Sequence, residues 1–330
     1  MKRIVELPLI EPMYSTYHNG ISSACIVNNP TIRNYFLNDV LILTCNRKFL
    51  LGYTSPGINV EGSSIYDNPY LDRHLVNMHF LRGYINFVIR NMVDEGYYVH
   101  FSGIDDFYVE GKSWYKSRHF NHDGTICGYD QKNKTYCIYA YDSKWIYRKF
   151  WTSQKSFEAG RISMFKNGVN SYVCGLKPKM DNIDFSAEQA LNKIEEYLDS
   201  DMTKYHENED GNVRGIVVHE YIAKYVRKLH DGSIPYEKMD RRVFRMIWEH
   251  KKVMLERIQR IEETLGINSD ISIRYEPLVN EADSMRVMYA LHHMKRRDSV
   301  LPIIERKLFA LKDKEFELLS ELLNSTKCSL

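Results

Sequence analysis

The spacing of hydrophobic and polar positions along the chain changes near residue 180. Between residues 97 and 142, apolar and aromatic positions come in short runs separated by turn residues, which is typical of β-strands. Further strand-like segments run over residues 145–175, whereas beyond residue 180 the apolar positions repeat at helical spacing almost throughout. The pattern therefore predicts an α+β protein, with an antiparallel sheet followed by a helical C-terminal portion.

Two helices are predicted before the first strand. A short helix over residues 17–27 can take Ser15 or Thr16 as its N-cap. A longer helix begins at Pro69 and ends at Gly96, and its apolar positions form one stripe. That stripe consists of Leu71, Leu75, Met78, Leu81, Ile85, Val88 and Met92. Residues 32–53 fit either a helix or a strand.

The helices beyond residue 180 carry their own start and stop signals. Ser186 and Gln189 form a capping box, and Asp240 is a candidate N-cap of a helix that Gly266 ends. Two or three further helices fill the rest of the chain. Since there is no internal repeat and no low-complexity linker, we expect residues 1–180 to form one domain and residues 181–330 a helical domain packed against it.

A predicted hairpin brings a histidine and a carboxylate together. Two strands, residues 122–130 and 135–142, flank a polar turn, and antiparallel pairing places His122 opposite Asp142. Opposed side chains have Cβ atoms about 4.5 to 5.5 Å apart, so the carboxylate can accept from the imidazole and fix its tautomer. The same face carries apolar side chains, at Ile126, Ile138 and Ala140. This is the orienting half of a nucleophile–His–Asp triad, and a purely structural His–Asp pair is the alternative.

The composition argues against several classes of protein. The 330 residues include 45 basic and 43 acidic side chains, a net charge of +2, without an extended basic tract, so no nucleic-acid partner is expected. The six cysteines contain no C-x-x-C pair, which favours a reducing cytoplasm. No signal peptide or membrane span is expected. His119 and His122 would point to opposite faces of a strand, and without a third ligand no metal site is predicted.

The hairpin resembles part of a known active site. The arrangement of His122, residues 128–130 and Asp142 looks like the second half of the active site of papain-like bacteriocin-processing peptidases. A closer resemblance is to the N-terminal domain family of butirosin biosynthesis protein H. The residues that carry it are Asp105, Phe107, Tyr108, Tyr115, His119 and His122. Residues 215–221 and 249–254 are also similar to members of this family, so the resemblance covers nearly the whole chain.

This resemblance implies a papain-like catalytic layer and an acyl-transfer reaction. Members of the family act in nonribosomal and thiotemplate antibiotic pathways, and include an acyltransferase that uses carrier-protein thioesters and the amide-forming enzyme of closthioamide assembly. The implied partners are an acyl or peptidyl carrier protein, whose phosphopantetheine presents the substrate, and an amine acceptor. No bound cofactor is implied. The implied triad is Cys–His–Asp, with His122 as base and Asp142 as its orienting acid.

The nucleophile stays open between three residues. Papain-like folds place it at the N-terminus of a helix, where free N–H groups and the helix dipole lower the thiol pKa. Cys25 is the only cysteine in the N-terminal helical segment, but it lies two turns inside the predicted helix, whereas Thr16 or Ser15 occupies its start. A hydroxyl nucleophile and an inactive protein are therefore alternatives to Cys25. His119 is the alternative base, and Cys45 is expected in the core.

Two other functions compete with acyl transfer. A cysteine protease that removes a leader peptide would use the same triad on a different substrate. A noncatalytic binding module of a synthetase assembly would need no triad. The acyl chain, the amine acceptor and the oligomeric state are not encoded in any recognisable motif.

Overall fold

The strands and helices were located in a computed structural model of the chain. It describes residues 4–9, 14, 16–17, 26–27, 29–51, 55–66, 68–179, 182–199 and 211–326. Two units make up the chain: unit 1 contains residues 1–33 and 64–182, and unit 2 contains residues 34–63 and 183–330. Residues 34–63 thus group with the C-terminal half, whereas a single boundary at residue 180 would assign them to the N-terminal domain.

The elements are numbered here in chain order. The strands are β1 Ile4–Glu6, β2 Leu43–Asn46, β3 Asn59–Val60, β4 Leu71–Asn77, β5 Tyr98–Asp105, β6 Asn121–Asp130, β7 Thr135–Tyr141, β8 Tyr147–Ser153, β9 Tyr172–Pro178 and β10 Asn212–Arg214. The helices are α1 Pro30–Asn38, α2 Met78–Leu81, α3 Ile85–Asp94, α4 Gln154–Lys166, α5 Ala187–Leu198, α6 Val218–His230, α7 Val243–Leu265, α8 Ile271–Lys295 and α9 Leu301–Thr326. None of these helices is both long enough and apolar enough to pass through a bilayer.

Unit 1 is built on an antiparallel sheet of seven strands. Six of them have the order β4-β9-β5-β6-β7-β8. The seventh, β1, pairs with residues 128–130 at the C-terminal end of β6. The predicted hairpin is confirmed, since β6 and β7 pair across the turn at residues 131–134. The predicted α+β class is confirmed as well. The segment over residues 145–175 also contains helix α4, which the strand-like pattern did not predict.

The predicted helix from Pro69 to Gly96 is wrong in its first half. Its first residues form β4, which pairs with β9 over all seven positions. Leu75, assigned to the apolar stripe, is 55% exposed on this edge strand, whereas Ile85 and Ile89 of α3 are buried as predicted. Pairing with β9 supplies β4 with backbone hydrogen bonds and overrides the local helical pattern, because propensity is a weak preference of less than about 1 kcal/mol per residue.

A continuous apolar core lies in unit 1 beneath the strands that carry the predicted site. Its buried members include Met78, Ile85, Ile89, Val93, Val99, Phe101, Ile104, Val109, Ile126, Tyr129, Tyr136, Ile138, Ala140, Phe157 and Val173. Side chains from α3, α4 and the central strands β5, β6 and β7 contribute to it. The face predicted to exclude water, with Ile126, Ile138 and Ala140, is therefore fully buried.

Unit 2 combines a three-stranded sheet with long helices. The sheet has the order β10-β2-β3, and α5 to α9 belong to this unit. The predicted cap of α5 is confirmed, because the Ser186 side chain accepts from the Gln189 amide. Gly266 ends α7 in the left-handed conformation, with φ +63°, as predicted. Asp240 is not the N-cap of α7, since it stands two residues before the cap residue, Arg242.

Candidate active site

The end of β5 and the start of β6 lie side by side in unit 1. Ile104 is opposite His122 in the ladder between these strands. Asp105 ends β5 and Asp106 follows it, so two consecutive aspartates stand where the chain leaves the sheet. A loop over residues 107–120 then returns the chain to β6. This topology brings both aspartates close to the two histidines at the start of β6.

His122 is held by Asp106. Its Nδ1 lies 2.8 Å from Asp106 Oδ2. The Asp106 side chain is completely buried, while the His122 side chain keeps 20% of its surface exposed. Because a carboxylate can only accept, we assign the ring proton to Nδ1. The other nitrogen, Nε2, then carries a lone pair and has no hydrogen-bond partner among the residues that the structure describes, so it can accept a proton from a ligand.

A buried cation completes the surroundings of Asp106. Lys112 Nζ lies 3.1 Å from Asp106 Oδ1 and donates to the Asp123 carbonyl at 2.6 Å. Burial lowers the pKa of the Lys112 ammonium, although the carboxylates of Asp106 and Asp123 act in the opposite direction. An unpaired buried carboxylate would cost several kcal/mol, so Lys112 makes a buried Asp106 tolerable.

His119 is held by the other aspartate. Its Nδ1 lies 2.7 Å from Asp105 Oδ2, and its ring stacks on Phe107 with centroids 4.4 Å apart. Burial would raise the pKa of Asp105, but hydrogen bonds from His119, Ser163 and two backbone amides outweigh it and the net pKa is lowered. The His119 side chain is 60% exposed. Both candidate bases are therefore oriented by a carboxylate, and His122 is the more sheltered of the two.

The hydrogen bond expected between His122 and Asp142 is not formed. Asp142 Oδ1 accepts the amides of Lys144 and Ile146, at 2.8 and 2.9 Å, and Oδ2 accepts from Arg148 Nε at 2.5 Å. Burial would raise the pKa of Asp142, yet these amides and Arg148 outweigh it and keep the pKa below its usual value. In this structure Asp142 stabilises the turn between β7 and β8, and Asp106 is the acid that orients His122.

The ladder explains why the expected contact is missing. Thr125 pairs with Tyr139, in the register that would place residues 122 and 142 opposite each other if the ladder continued. The β6–β7 ladder ends at that pair. Beyond it Asp142 pairs with Lys112, which belongs to the loop between β5 and β6. That loop takes the position beside the end of β7, and its own start supplies the carboxylate for His122.

The structure locates some of the candidate nucleophiles. Cys25 and Ser15 lie outside the described residues, while Thr16 lies in a turn and is partly exposed. Cys45 is confirmed as a core residue of unit 2, since it is only 1% exposed. Its burial raises the pKa of the Cys45 thiol to about 12, and a thiol that stays protonated is a poor nucleophile.

Exposed aromatic rings continue from His122 along the surface of unit 1. The Phe120 ring lies 5.3 Å from the His122 ring and 6.0 Å from Trp114, which in turn lies 4.9 Å from Trp145. Trp145 is 51% exposed. The Arg118 guanidinium lies over both Trp114 and Phe120. Such a surface can hold the apolar part of a ligand close to the imidazole.

Two residues of the site were not predicted from the sequence. Asp106 could have been identified by pairing the strand that ends at Asp105 with the strand that begins at His122. Nothing local marks Lys112, because lysine is almost never fully buried unless it is paired. Its role depends on a contact that only the folded loop creates.

Comparisons with known proteins leave the site to be interpreted from its own geometry. No protein-family model matches the chain, and no curated protein matches it significantly. Within the described ranges, no group of three or more His, Cys, Asp or Glu side chains is arranged to hold a metal ion.

Proposed function

We propose that the protein transfers an acyl group from a carrier-bound thioester to an amine, through a papain-like nucleophile–His–Asp arrangement in unit 1. His122 is the base, and Asp106 takes the orienting role that the sequence suggested for Asp142. The 2.8 Å hydrogen bond between His122 and Asp106 is the observation that carries the proposal. In this arrangement Nδ1 donates to the buried Asp106 carboxylate, and Nε2 is left to exchange a proton with the nucleophile.

The reaction would proceed through a covalent acyl-enzyme. His122 Nε2 takes the proton of the nucleophile, which attacks the thioester carbonyl, and the C–S bond of the carrier thioester breaks. The carrier thiolate leaves with the proton from His122. The amine then attacks the acyl-enzyme, His122 accepts the amine proton, and that proton returns to the nucleophile. The products are an amide and the free carrier thiol.

The surroundings of the pair suit this chemistry. Asp106 is buried, so it can stabilise the imidazolium that forms each time His122 takes a proton, without competition from water. Ile104, which pairs with His122 in the ladder between β5 and β6, is buried and apolar. The partly exposed ring and the neighbouring aromatic surface leave an approach for an acyl chain.

The nucleophile and the carrier partner come from the family resemblance. Cys25 is the proposed nucleophile, and Thr16 or Ser15 would replace it if the reacting group is a hydroxyl. A thiol is the better candidate, because it is partly ionised near neutral pH and a hydroxyl is not. The phosphopantetheine arm of a carrier protein would deliver the acyl thioester.

Trapping the acyl-enzyme tests the proposal. The full chain is mixed with an acyl-pantetheine thioester in the absence of amine, and its intact mass is measured. We expect the protein mass to increase by the mass of the acyl group. This adduct should be absent in Cys25→Ala, and it should form about 10²–10⁴-fold more slowly in His122→Ala. Cys45→Ala is the matched control, since Cys45 is a buried core thiol, and it should be acylated like the parent. Retention of the adduct in Cys25→Ala with loss in Thr16→Ala would assign the hydroxyl instead.

The fate of the acyl group distinguishes transfer from its rivals. Addition of an amine should release the corresponding amide. Release of the free acid alone, together with cleavage of a peptide substrate, would identify a protease. A protein that is never acylated, and whose Cys25 does not react with iodoacetamide in the folded state, would be a binding module, and the catalytic proposal would be abandoned.

A further inference from the structure

Two basic clusters that are far apart in the sequence meet at one end of unit 2. Residues 241–242 directly precede α7, and residues 295–297 lie at the end of α8. Tyr236 connects them: its hydroxyl donates to the His293 carbonyl, and its ring stacks on the His293 ring at 5.5 Å. The Arg296 guanidinium lies 3.9 Å from the centre of the Tyr236 ring. We call this surface, residues 236–242 and 292–298, the basic end.

Arg241 contributes its charge to the same place. Partial burial lowers the pKa of His293, and the charges of Arg241 and His292 act in the same direction. A depression of about 560 Å³ lies beside it, lined by Ser55 and residues 237–242. The basic end therefore has a shaped surface as well as a charge.

Two carboxylates of this surface are paired with arginines. Arg242 lies 3.1 Å from Asp240, and Arg296 lies 3.8 Å from Glu237. The third, Asp298, lies 3.3 Å from the His292 ring, a contact that is an ion pair only when the ring is protonated. Apart from Lys238, three further cations of this surface are exposed and form no ion pair with any residue in the described part of the chain: Arg241, Lys295 and Arg297. The basic end thus has unpaired positive charge in a protein whose overall charge is only +2.

Helix electrostatics explain one cluster but not the other. Cations near the C-terminus of a helix interact favourably with its dipole, which accounts for residues 295–297. The same argument makes Arg241 unfavourable, because it stands at the N-terminus of α7, whose first turn contains no acidic residue, whereas Arg242 is compensated by its pair with Asp240. A local structural role therefore does not account for the convergence of both clusters.

We propose that the basic end docks the acidic surface of the carrier protein that delivers the acyl thioester. This inference rests on the proposed function and adds the location at which the partner is recognised. Three unpaired cations complement a protein surface rich in Asp and Glu, and such complementarity increases the association rate and selects the partner. A protein is favoured over a nucleic acid as the partner, because the chain has no extended basic tract to follow a phosphate backbone.

Binding of an acidic carrier measures docking without requiring turnover. The probe is a strongly acidic acyl carrier protein with a fluorophore attached to its phosphopantetheine arm, and its anisotropy is followed as the full chain is added. We expect binding that weakens as ionic strength rises from about 0.01 M to about 1 M, since the Debye length falls from about 30 Å to about 3 Å. The double variant Arg241→Glu, Arg297→Glu should bind at least about tenfold more weakly.

A matched variant controls for net charge. Arg306→Glu, Lys314→Glu changes the total charge by the same amount on exposed positions of α9, and it should bind the carrier like the parent. Equal losses in both variants, or no salt-dependent binding of the carrier at all, would overturn the docking site. Tighter binding of labelled duplex DNA than of the carrier, with the same sensitivity to Arg241 and Arg297, would assign the surface to nucleic acid and overturn it too.

A small substrate separates this inference from the proposed function. Acyl-pantetheine does not need protein docking, so the Arg241→Glu, Arg297→Glu variant should turn it over at the parental rate while losing rate on carrier-bound substrate. Equal rates of both variants on carrier-bound substrate would contradict docking and leave the function intact. If the parent binds the carrier at the basic end but never becomes acylated, the function fails and the docking site stands.

Discussion

Each unit of the chain contains a buried lysine beside a buried carboxylate and an imidazole, yet the two groups differ in their access to water. In unit 1, Lys112 and His122 both contact Asp106, and the His122 side chain keeps 20% of its surface exposed. In unit 2 the corresponding histidine, His219, is only 1% exposed. The same types of residue thus occur once at a surface and once in an interior.

The unit 2 group is satisfied almost entirely within itself. Both Glu315 oxygens accept from Lys251, at 2.6 and 2.7 Å. Tyr275 donates to Oε1 at 2.5 Å and Tyr197 to Oε2 at 3.0 Å. Burial and then the charge of Lys251 lower the pKa of His219 to about 4, so its ring is neutral near pH 7. This network holds α5, α6, α7, α8 and α9 together and has no nitrogen or oxygen directed to solvent.

Solvent access, and not the set of residue types, decides which of the two groups can exchange a proton with a ligand. Proton transfer to a ligand needs a ring nitrogen that the ligand can reach, as His122 Nε2 can be reached and His219 Nε2 cannot. A buried ionic network mainly specifies how helices pack, and its removal as a whole can even be neutral for stability.

The largest expected effect is on activity in unit 1. Asp106→Asn should lower acyl transfer by about 10²–10⁴-fold, because an amide has no charge to stabilise the imidazolium and its NH2 group can donate to Nδ1, which favours the wrong tautomer. Asp142→Asn should stay within a few-fold of the parent, since Asp142 does not contact His122. Rates of amide formation from acyl-pantetheine measure both variants. The opposite order would restore Asp142 as the orienting acid.

A folding control accompanies that measurement, because Asp106 also compensates Lys112. The double variant Asp106→Asn, Lys112→Met removes both buried charges and should fold more stably than Asp106→Asn alone. If its activity stays as low as that of the single variant, the loss belongs to the orientation of His122 and not to unfolding.

The next largest effect is on the stability of unit 2. Glu315→Gln leaves the Lys251 charge buried without a counterion and should lower the free energy of unfolding by about 3–5 kcal/mol. Urea denaturation followed by far-ultraviolet circular dichroism measures it. The double variant Glu315→Gln, Lys251→Met should recover most of the loss. A single variant as stable as the parent would show that the pair is not energetically coupled.

Acid should destabilise the protein through His219. Its pKa is about 4 in the folded state and about 6.5 when unfolded, so the unfolded chain binds the extra proton between these values. The associated stability is fully present above pH 6.5 and is lost as the pH falls to about 4, a change of about 3 kcal/mol. Urea midpoints across this range measure it in the parent and in His219→Gln, which should lack this part of the pH dependence. Identical slopes would contradict the assignment.

The smallest effect should come from the exposed side of the turn that Asp142 stabilises. Arg148 is 55% exposed, and a surface ion pair of this kind contributes about 0–1 kcal/mol. Arg148→Ala should therefore change the free energy of unfolding by less than about 1 kcal/mol, while Asp142→Ala should cost more because two backbone amides, as well as Arg148, lose their acceptor. Urea denaturation gives the free energy of unfolding of both variants. A larger loss in Arg148→Ala than in Asp142→Ala would mean that the ion pair, and not the backbone hydrogen bonds of the turn, stabilises this part of the chain.

Local rules predicted those parts of the fold that depend on neighbouring residues. The hairpin of β6 and β7, the Ser186 cap and the Gly266 stop were all predicted from short-range spacing. The first half of the helix from Pro69 was wrong, since its partner strand β9 lies about a hundred residues away in the chain and leaves no trace in the local pattern.

The candidate site divides in the same way. His122 and its apolar neighbours follow from the alternation along two adjacent strands. The predicted register is found at Thr125–Tyr139 and Ile126–Ile138, but a β-bulge between Ile126 and Gly128 shifts the pairing by one residue on the turn side. The identity of the acid does not follow, because the loop between β5 and β6 displaces the end of β7 and brings Asp106 to the ring instead of Asp142.

Short-range patterns along the chain determined the α+β class, the hairpin and the position of His122 at its start, because these depend on side-chain alternation and turn chemistry within a few residues. Only the tertiary structure decided which carboxylate holds His122, that Lys112 is buried beside it, and that the two basic clusters of unit 2 meet. Those contacts depend on how loops and helices pack, and spacing along the sequence does not show which residues the packing brings together.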